Sequence, residues 1–263
     1  MSTPALQLSA LHAWYGESHI LHGVDLEVGQ GEVVTLLGRN GAGRTTTLRA
    51  ILGLTGSRKG SVRIHGTESI ALPTYRVAHL GVGYCPEERG IFASLSCEEN
   101  LLLPPPLQSA ASGGRLPPGR PKATDASLEG SGPQAPLGGA IPLAEIYEMF
   151  PNLHERRHSP GTRLSGGEQQ MLAVARILRT GANLLLLDEI SEGLAPVIVQ
   201  ALARMIVALK ARGYTIVMVE QNFHFAAPLA DRFYVMEHGQ IVEHFAASQL
   251  AEKQDTLNEL LGV

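Results

Sequence analysis

A glycine-rich segment has the residue types needed to hold phosphate. After the apolar run 33–37, the residues are Gly38, Arg39, Asn40, Gly41, Ala42, Gly43, Arg44, Thr45 and Thr46. Glycines let consecutive backbone N–H groups turn onto phosphate oxygens at a helix N-terminus, and the Thr45 hydroxyl can bind Mg²⁺. The spacing predicts a phosphate-binding P-loop, with a glycine-rich turn that binds nothing as the alternative.

Arg44 departs from the usual P-loop pattern, which has Lys at this position. A compact ammonium group is replaced by a wider planar guanidinium that cannot occupy the same point against the phosphates. We expect Arg44 to preserve some nucleotide binding and to lower hydrolysis at least tenfold, equivalent to about 1.4 kcal/mol of transition-state stabilisation.

A second segment, 164–170, combines a helix cap with two glycines. Ser165 and Glu168 have the spacing of a capping box, which is a purely structural device. Gly166 and Gly167 each destabilise a helix by about 1 kcal/mol relative to Ala, and a cap does not need them. Bare backbone at a helix N-terminus suits a second anion site. The cap and the anion site are compatible, and we expect both.

Two carboxylates follow the apolar run 184–187. Ligands of α/β proteins collect at the carboxyl ends of buried strands. Asp188 suits Mg²⁺ binding, directly or through water, and Glu189 suits polarising an attacking water. An acidic strand end facing solvent is the alternative, and the preceding P-loop makes it the weaker one.

The elements that must position these residues alternate between strand-like and helix-like patterns. Period-two alternation predicts an antiparallel β patch from 6–11, 24–28 and 61–64. Short apolar runs predict strands buried on both faces at 33–37, 184–187, 215–219 and 233–236. Helical patterns occur at 45–52, 143–150, 168–179 and 197–212. The fold class is therefore α/β with a mostly parallel sheet and a small satellite.

Composition excludes several classes of protein. The chain has 263 residues with 21 Lys+Arg against 25 Asp+Glu, so it lacks the positive charge that nucleic-acid binding needs, and we expect no nucleic-acid partner. Cys85 and Cys97 have no metal or redox spacing, so we expect two reduced thiols. The N-terminal residues lack a signal-peptide pattern, and we find no apolar run of 18 residues, so we expect no membrane span.

The segment 104–142 is unlike the rest of the chain. Its 39 residues include 9 Pro and 7 Gly and no aromatic residue. Such a composition does not bury enough apolar surface to offset the entropy of ordering. We expect a disordered, removable insert inside one domain.

The three motifs, in this order, resemble the ATP-binding cassette (ABC) family of ATPases, of which the Leu164–Gln170 segment is typical. The closer resemblance is to the second nucleotide-binding subunit of branched-chain amino-acid importers. It rests on the segments Tyr15–Gly16, Pro86–Arg89, Ser96–Asn100, Leu164–Gln170, Ser191–Pro196 and Val219–Asn222.

The resemblance implies a single cassette domain over 1–263 with a P-loop NTPase (RecA-like) core, an antiparallel β patch and a small helical subdomain. It implies that ATP and Mg²⁺ bind and that ATP hydrolysis drives import through separate membrane subunits. It also implies a dimer with a homologous cassette subunit, and a peripheral location at the cytoplasmic face of the inner (plasma) membrane.

Single residues take roles from this resemblance. Tyr15 matches the aromatic residue that stacks on adenine, with ordinary strand packing as its alternative. Glu87 matches a Mg²⁺ contact, and Gln221 matches a γ-phosphate contact. Because a Gln side chain cannot carry a proton, Glu189 is left as the general base.

In the family, the γ-phosphate held by one subunit is met by residues of another subunit. The matching residues of this sequence are Ser165, Gly166 and Gly167, with Glu168 beside them.

Three alternatives stay open or are disfavoured. A degenerate regulatory subunit, impaired by Arg44, and a urea or short-amide importer ATPase both fit the motifs. A soluble cassette ATPase of DNA repair or translation is disfavoured because 104–142 lacks the heptads of a coiled-coil insert.

Overall fold

The computed structural model describes residues 3–103 and 139–261. Their strands are β1 (Leu6–Tyr15), β2 (Ser18–Val28), β3 (Val33–Leu37), β4 (Ser57–Ile64), β5 (Thr67–Glu68), β6 (Val82–Cys85), β7 (Leu184–Asp188), β8 (Thr215–Val219), β9 (Arg232–Glu237) and β10 (Gln240–Ala246). Their helices are α1 (Arg44–Leu52), α2 (Thr74–Ala78), α3 (Cys97–Leu102), α4 (Leu143–Met149), α5 (Pro151–Glu155), α6 (Gly166–Leu178), α7 (Pro196–Ala211), α8 (Phe223–Ala226) and α9 (Gln254–Leu261). Short 3₁₀ turns lie at Gly161–Arg163 and Ala247–Gln249.

The strands form two sheets. The larger sheet has the order β10-β9-β3-β8-β7-β6, and all its neighbouring strands are parallel except β10, which pairs antiparallel with β9. The smaller sheet is antiparallel, with the order β2-β1-β4-β5. The predicted α/β class, the parallel sheet and the antiparallel patch are confirmed.

Strand β7 shows how the parallel sheet is buried on both faces. Leu184 and Leu186 pack into the core shared with the antiparallel sheet and α1, whereas Leu185 and Leu187 pack into the core shared with α3 to α7. A strand covered on both faces needs no polar alternation, which explains its continuous apolar run. The short helices α3 to α5 pack into this second core and form the small helical subdomain.

Strand β6 was not predicted from the sequence because it is only four residues long and contains Gly83. A Cβ atom at Gly83 would lie 2.1 Å from Cγ2 of Ile177 on α6, so the glycine allows the helix to pack closely on the strand. This packing depends on contacts between distant segments, which local periodicity does not record.

The predicted insert 104–142 falls mostly on residues 104–138, which lie outside the described residues. Its predicted C-terminal boundary is too late, because Ile141 is buried in the core and its N–H donates to the carbonyl of Leu178. Cys85 and Cys97 are both buried and free. Among the described helices, none has the length and apolar character required to span a bilayer.

Candidate functional site

A polar cleft of about 500 Å³ lies where β3 and β7 end. Because β3, β8 and β7 are parallel neighbours, their carboxyl ends meet at one edge of the sheet. The residues that line the cleft are Tyr15, Ile20, Asn40, Gly41, Ala42, Gly43, Arg44, Thr45, Thr46, Glu87, Glu189, Glu192 and Gln221. The cleft thus brings most of the predicted phosphate-loop residues together with Tyr15, Glu87, Glu189 and Gln221.

The loop after β3 leads directly into α1. Gly43 adopts φ +106°, a left-handed conformation that favours glycine, and caps the helix without a side-chain hydrogen bond. The first turn of α1 also contains no acidic residue. The partial positive charge of the α1 N-terminus is therefore not offset by an acidic side chain of its own first turn, which favours an anion there.

Arg44 is almost fully buried, with its side chain 4% exposed. Its Nη2 donates to Oε1 of Glu189 at 2.9 Å and to Oδ1 of Asn40 at 3.3 Å, whereas its Nη1 is buried without a hydrogen-bond partner. Burial lowers the pKa of the guanidinium, and the nearby charge of Glu189 opposes this shift. An unpaired buried donor is costly, so Nη1 is available for an anionic oxygen.

Thr45 and Asp188 are hydrogen-bonded to each other at the back of the cleft. Oγ1 of Thr45 donates to Oδ1 of Asp188 at 2.9 Å, and the hydroxyl of Tyr84 donates to Oδ2 at 3.0 Å. Burial raises the pKa of Asp188, and these two hydrogen bonds oppose the shift. Tyr84 was not predicted as a site residue because β6 was not predicted.

Glu189 is held in a defined orientation by three contacts. Its carboxylate takes the bond from Arg44 on Oε1 and accepts from Nε2 of Gln221 on Oε2 at 2.9 Å. Its backbone N–H donates to the carbonyl of Val219 at 2.8 Å. Burial and a hydrogen bond with Glu192 raise its pKa, while the charge of Arg44 opposes the rise.

Oxygen atoms that suit Mg²⁺ lie close to the Glu189 carboxylate. The carboxylates of Glu87, Glu189 and Glu192 lie within 4.8 Å of one another, close enough to share a cation. Burial raises the pKa of Glu87, and so do the charges of Glu189 and Asp188, in that order. With the Thr45 hydroxyl and the Asp188 carboxylate, this is an all-oxygen set, as Mg²⁺ prefers. Glu192 was not singled out in the sequence.

Some predicted site residues lie elsewhere. The guanidinium of Arg39 donates to the backbone carbonyls of Glu259 and Leu260 in α9, so it points away from the cleft. Gly38 is packed against the chain itself, because a Cβ there would lie 2.4 Å from the carbonyl oxygen of Met236. Both residues belong to the loop without lining the cleft.

The segment Ser165–Glu168 is also absent from the lining of this cleft. Ser165 accepts from the N–H of Glu168 at 3.3 Å, and Glu168 accepts from the N–H of Ser165 at 2.7 Å, so the predicted capping box is present. Gly167 is buried, and a Cβ there would lie 2.7 Å from Ile198. One of the two glycines is therefore required by packing within the chain.

A buried carboxyl group lies beside the cleft at the end of β8. Glu220 is 1% exposed, and its two oxygens accept from the backbone N–H of Ser191 at 3.2 Å and from its hydroxyl at 2.8 Å. Burial raises the pKa of Glu220 to about 7, although both hydrogen bonds oppose the shift. In the sequence, Glu220 belongs to the segment Val219–Asn222, but no pattern indicates that Ser191 is its partner.

Comparison with known proteins identifies the family. Residues 21–192, more than half of the chain, match the family described as ABC transporter. The chain belongs to the ABC transporter family. It carries the ATP-binding cassette, the part of an ABC transporter that binds and hydrolyses ATP, so the predicted resemblance, fold and ATPase activity are confirmed.

Individual ABC proteins resemble the chain over nearly its full length. The high-affinity branched-chain amino acid transport ATP-binding protein BraG of Pseudomonas aeruginosa is 37% identical over 98% of this chain and 99% of its own. The lipopolysaccharide export system ATP-binding protein LptB of Acidithiobacillus ferridurans is 31% identical over 90% of this chain and 88% of its own. A dimeric structure of the ATP-binding cassette MJ0796 with ADP and Pi superposes with a TM-score of 0.70 at 19% identity. The superposition covers 92% of this chain and 98% of the MJ0796 chain.

The raised pKa of Glu220 predicts a pH-dependent stability of this ABC ATPase. From an ordinary value near 4.5 the pKa rises to about 7 on folding, so between these values the folded protein binds a proton that the unfolded chain releases. The free energy of unfolding should therefore fall as pH rises from 4.5 to 7, by up to about 3 kcal/mol. Glu220→Gln should remove this part of the pH dependence, measured by urea unfolding at pH 4.5 and 7.5. Equal pH dependence in both proteins would contradict the assignment.

Proposed function

We propose that this protein is the ATP-hydrolysing subunit of an importer for branched-chain amino acids. In this proposal it couples ATP hydrolysis to transport through separate membrane subunits. The single observation that carries the substrate class is the 37% identity to BraG over nearly the whole of both chains. The 31% identity to LptB makes lipopolysaccharide export the next candidate, with lower identity and lower coverage.

The cleft supports the binding of ATP with Mg²⁺. The α1 N-terminus and the buried, unpartnered Nη1 of Arg44 are both suited to phosphate oxygens. Tyr15 lines the cleft and is 38% exposed, which suits stacking on a base. Thr45 and Asp188 would hold Mg²⁺, with Glu87 near them, and the ion would neutralise phosphate charge. Glu189 would orient and deprotonate the attacking water, and Gln221 would donate to a phosphate oxygen.

Arg44 makes the resting arrangement of this cleft unusual. Its guanidinium is paired with Glu189, the proposed general base, so the same cation serves a carboxylate of the site and a phosphate of the substrate. Phosphate must draw Arg44 away from Glu189 in each turnover before Glu189 is free to accept a proton from water, so each turnover carries the cost of breaking this ion pair. This competition accounts physically for the slow hydrolysis that we expect of this chain.

The Ser165–Glu168 segment supports a dimeric active form. Ser165 is exposed and begins α6 away from the phosphate-loop cleft of its own chain. A helix N-terminus that carries an exposed serine and the glycine Gly166 is suited to an anion presented by another subunit. We therefore propose a sandwich in which this segment meets ATP held by a homologous ABC subunit.

Contact with membrane subunits is proposed at the helical subdomain. Phe92, Leu102 and Leu103 are each about half exposed and follow Glu87 along the chain. The side chain of Asn100 hydrogen-bonds the backbone of Phe92, so Phe92 lies next to α3, and exposed apolar side chains on one part of a surface are typical of protein interfaces. The protein would accordingly sit at the cytoplasmic face of the inner (plasma) membrane, held there by its partners.

The substrate class is tested by isolating the transporter and measuring transport. The tagged chain is purified from its own cells with the membrane subunits that accompany it, and the complex is reconstituted in liposomes. We expect ATP-dependent uptake of leucine, isoleucine and valine, abolished by Glu189→Gln. Uptake of urea or short amides alone, or co-purification with lipopolysaccharide-export proteins, would overturn the amino-acid assignment.

The role of Ser165 is tested against a matched serine. Ser165 and Ser96 both begin helices with a complete capping box, so Ser→Ala should destabilise either protein by about 1 kcal/mol. Only Ser165→Ala should also lower the ATPase rate of the assembled complex, at least tenfold. Urea unfolding and steady-state hydrolysis provide the two readouts, and equal ATPase losses would contradict a phosphate contact at Ser165.

The role of Arg44 is tested by Arg44→Lys. A compact ammonium releases Glu189 and fits the usual P-loop position, so hydrolysis by the complex should rise at least tenfold, about 1.4 kcal/mol. Arg63→Lys, at an exposed position of β4, is the control and should leave the rate unchanged. Equal rates for wild type and Arg44→Lys would contradict the impairment. No hydrolysis in either protein, despite ATP binding, would favour a regulatory subunit.

A further inference from the structure

We propose that Glu220 is a positioning residue that holds Glu189 in its working orientation through Ser191. The proposal rests on the proposed role of Glu189 in hydrolysis and adds a residue to which no role in the reaction is yet assigned. Glu220 does not line the phosphate cleft but an adjoining cavity that shares Glu189, Glu192 and Gln221 with it, so in this proposal Glu220 acts from beside the nucleotide. Its carboxylate instead contacts the chain just after Glu189.

The backbone at Glu189 needs such support. Glu189 has φ +49°, a left-handed conformation that is disfavoured for a residue with a Cβ atom. Conformations of this kind persist only where the surrounding structure over-determines them. This backbone conformation sets the direction in which the side chain leaves the main chain, and from there the carboxylate reaches Arg44 and Gln221.

Two sets of hydrogen bonds fix the chain on either side of Glu189. Before the bend, the N–H of Glu189 donates to the carbonyl of Val219 at 2.8 Å. After it, the N–H and the hydroxyl of Ser191 both donate to Glu220. Val219 and Glu220 are consecutive at the end of β8, so one rigid strand end holds both sides of the bend. Ile190, between them, is 1% exposed and fills the core.

The contact depends on the acceptor oxygens of Glu220. Ser191 presents two donors, and Glu220 provides one oxygen to each. A Gln side chain could keep both contacts, because the Ser191 hydroxyl can rotate and accept from its NH₂ group, whereas Leu has a similar size and no acceptor. Glu220→Leu therefore preserves size and burial while it removes the contact. The next residue, Gln221, donates to Glu189, so a shifted β8 end would also displace that donor.

The experiment separates positioning from a general loss of structure. The complex with its membrane subunits is prepared with Glu220→Leu, Ser191→Ala and the double variant, and kcat and the Kd for ATP are measured for each. We expect Glu220→Leu and Ser191→Ala each to lower kcat about tenfold with Kd for ATP changed less than twofold. The double variant should lose no more than the larger single effect, since both act through one contact.

Glu32→Leu is the matched control. Glu32 also accepts a backbone N–H, from Gly29 at 2.7 Å, and lies outside the cleft lining, so its loss should leave kcat unchanged. An unchanged kcat in folded Glu220→Leu would overturn the proposal, and so would equal losses of kcat and of ATP affinity. Glu189→Gln distinguishes a failure of the proposed role of Glu220 from a failure of the proposed role of Glu189. If that variant keeps full activity, the proposed role of Glu189 fails, whatever Glu220 does.

Discussion

The ion pair between Arg44 and Glu189 links the two halves of the candidate site. Its atoms are 2.9 Å apart and both side chains are nearly buried, which is costly for charges unless they are paired. The pair is possible only because β3 and β7 lie in one parallel sheet and end at the same edge. The phosphate loop, the ends of β3 and β7, and Gln221 are therefore arranged around the Arg44 guanidinium. We propose that this cation pairs with the Glu189 carboxylate and with the phosphate of the bound nucleotide.

The parts of the fold that could be predicted were those with a local cause. Strands β3 and β8 were predicted with their observed bounds because they are buried on both faces and appear as unbroken apolar runs. Strand β1 was predicted to end at Leu11 but continues to Tyr15. Its pairing shifts between Ser9 and His12, and Ala10 there has φ +45°, so the alternation is interrupted by an irregularity within one strand.

The parts of the site that could not be predicted depend on contacts between distant segments. Tyr84 bonds Asp188 across 104 positions of the chain, and Ser191 bonds Glu220 across 29. No spacing within either segment indicates such a partner. The same holds for Gly167, whose lack of a side chain is explained by Ile198 on another helix. Motifs indicated the groups that we propose to react, whereas the residues that orient them required the structure.

Arg44 should exchange Glu189 for phosphate when nucleotide binds. The most direct measurement is a crystal structure of the protein with Mg²⁺ and a non-hydrolysable ATP analogue. We expect the β- and γ-phosphates to lie at the α1 N-terminus and the Arg44 guanidinium to lie within about 3.2 Å of a phosphate oxygen. The carboxylate of Glu189 should then no longer be paired with Arg44. Phosphates bound elsewhere, or an Arg44–Glu189 pair that persists with nucleotide in place, would contradict it.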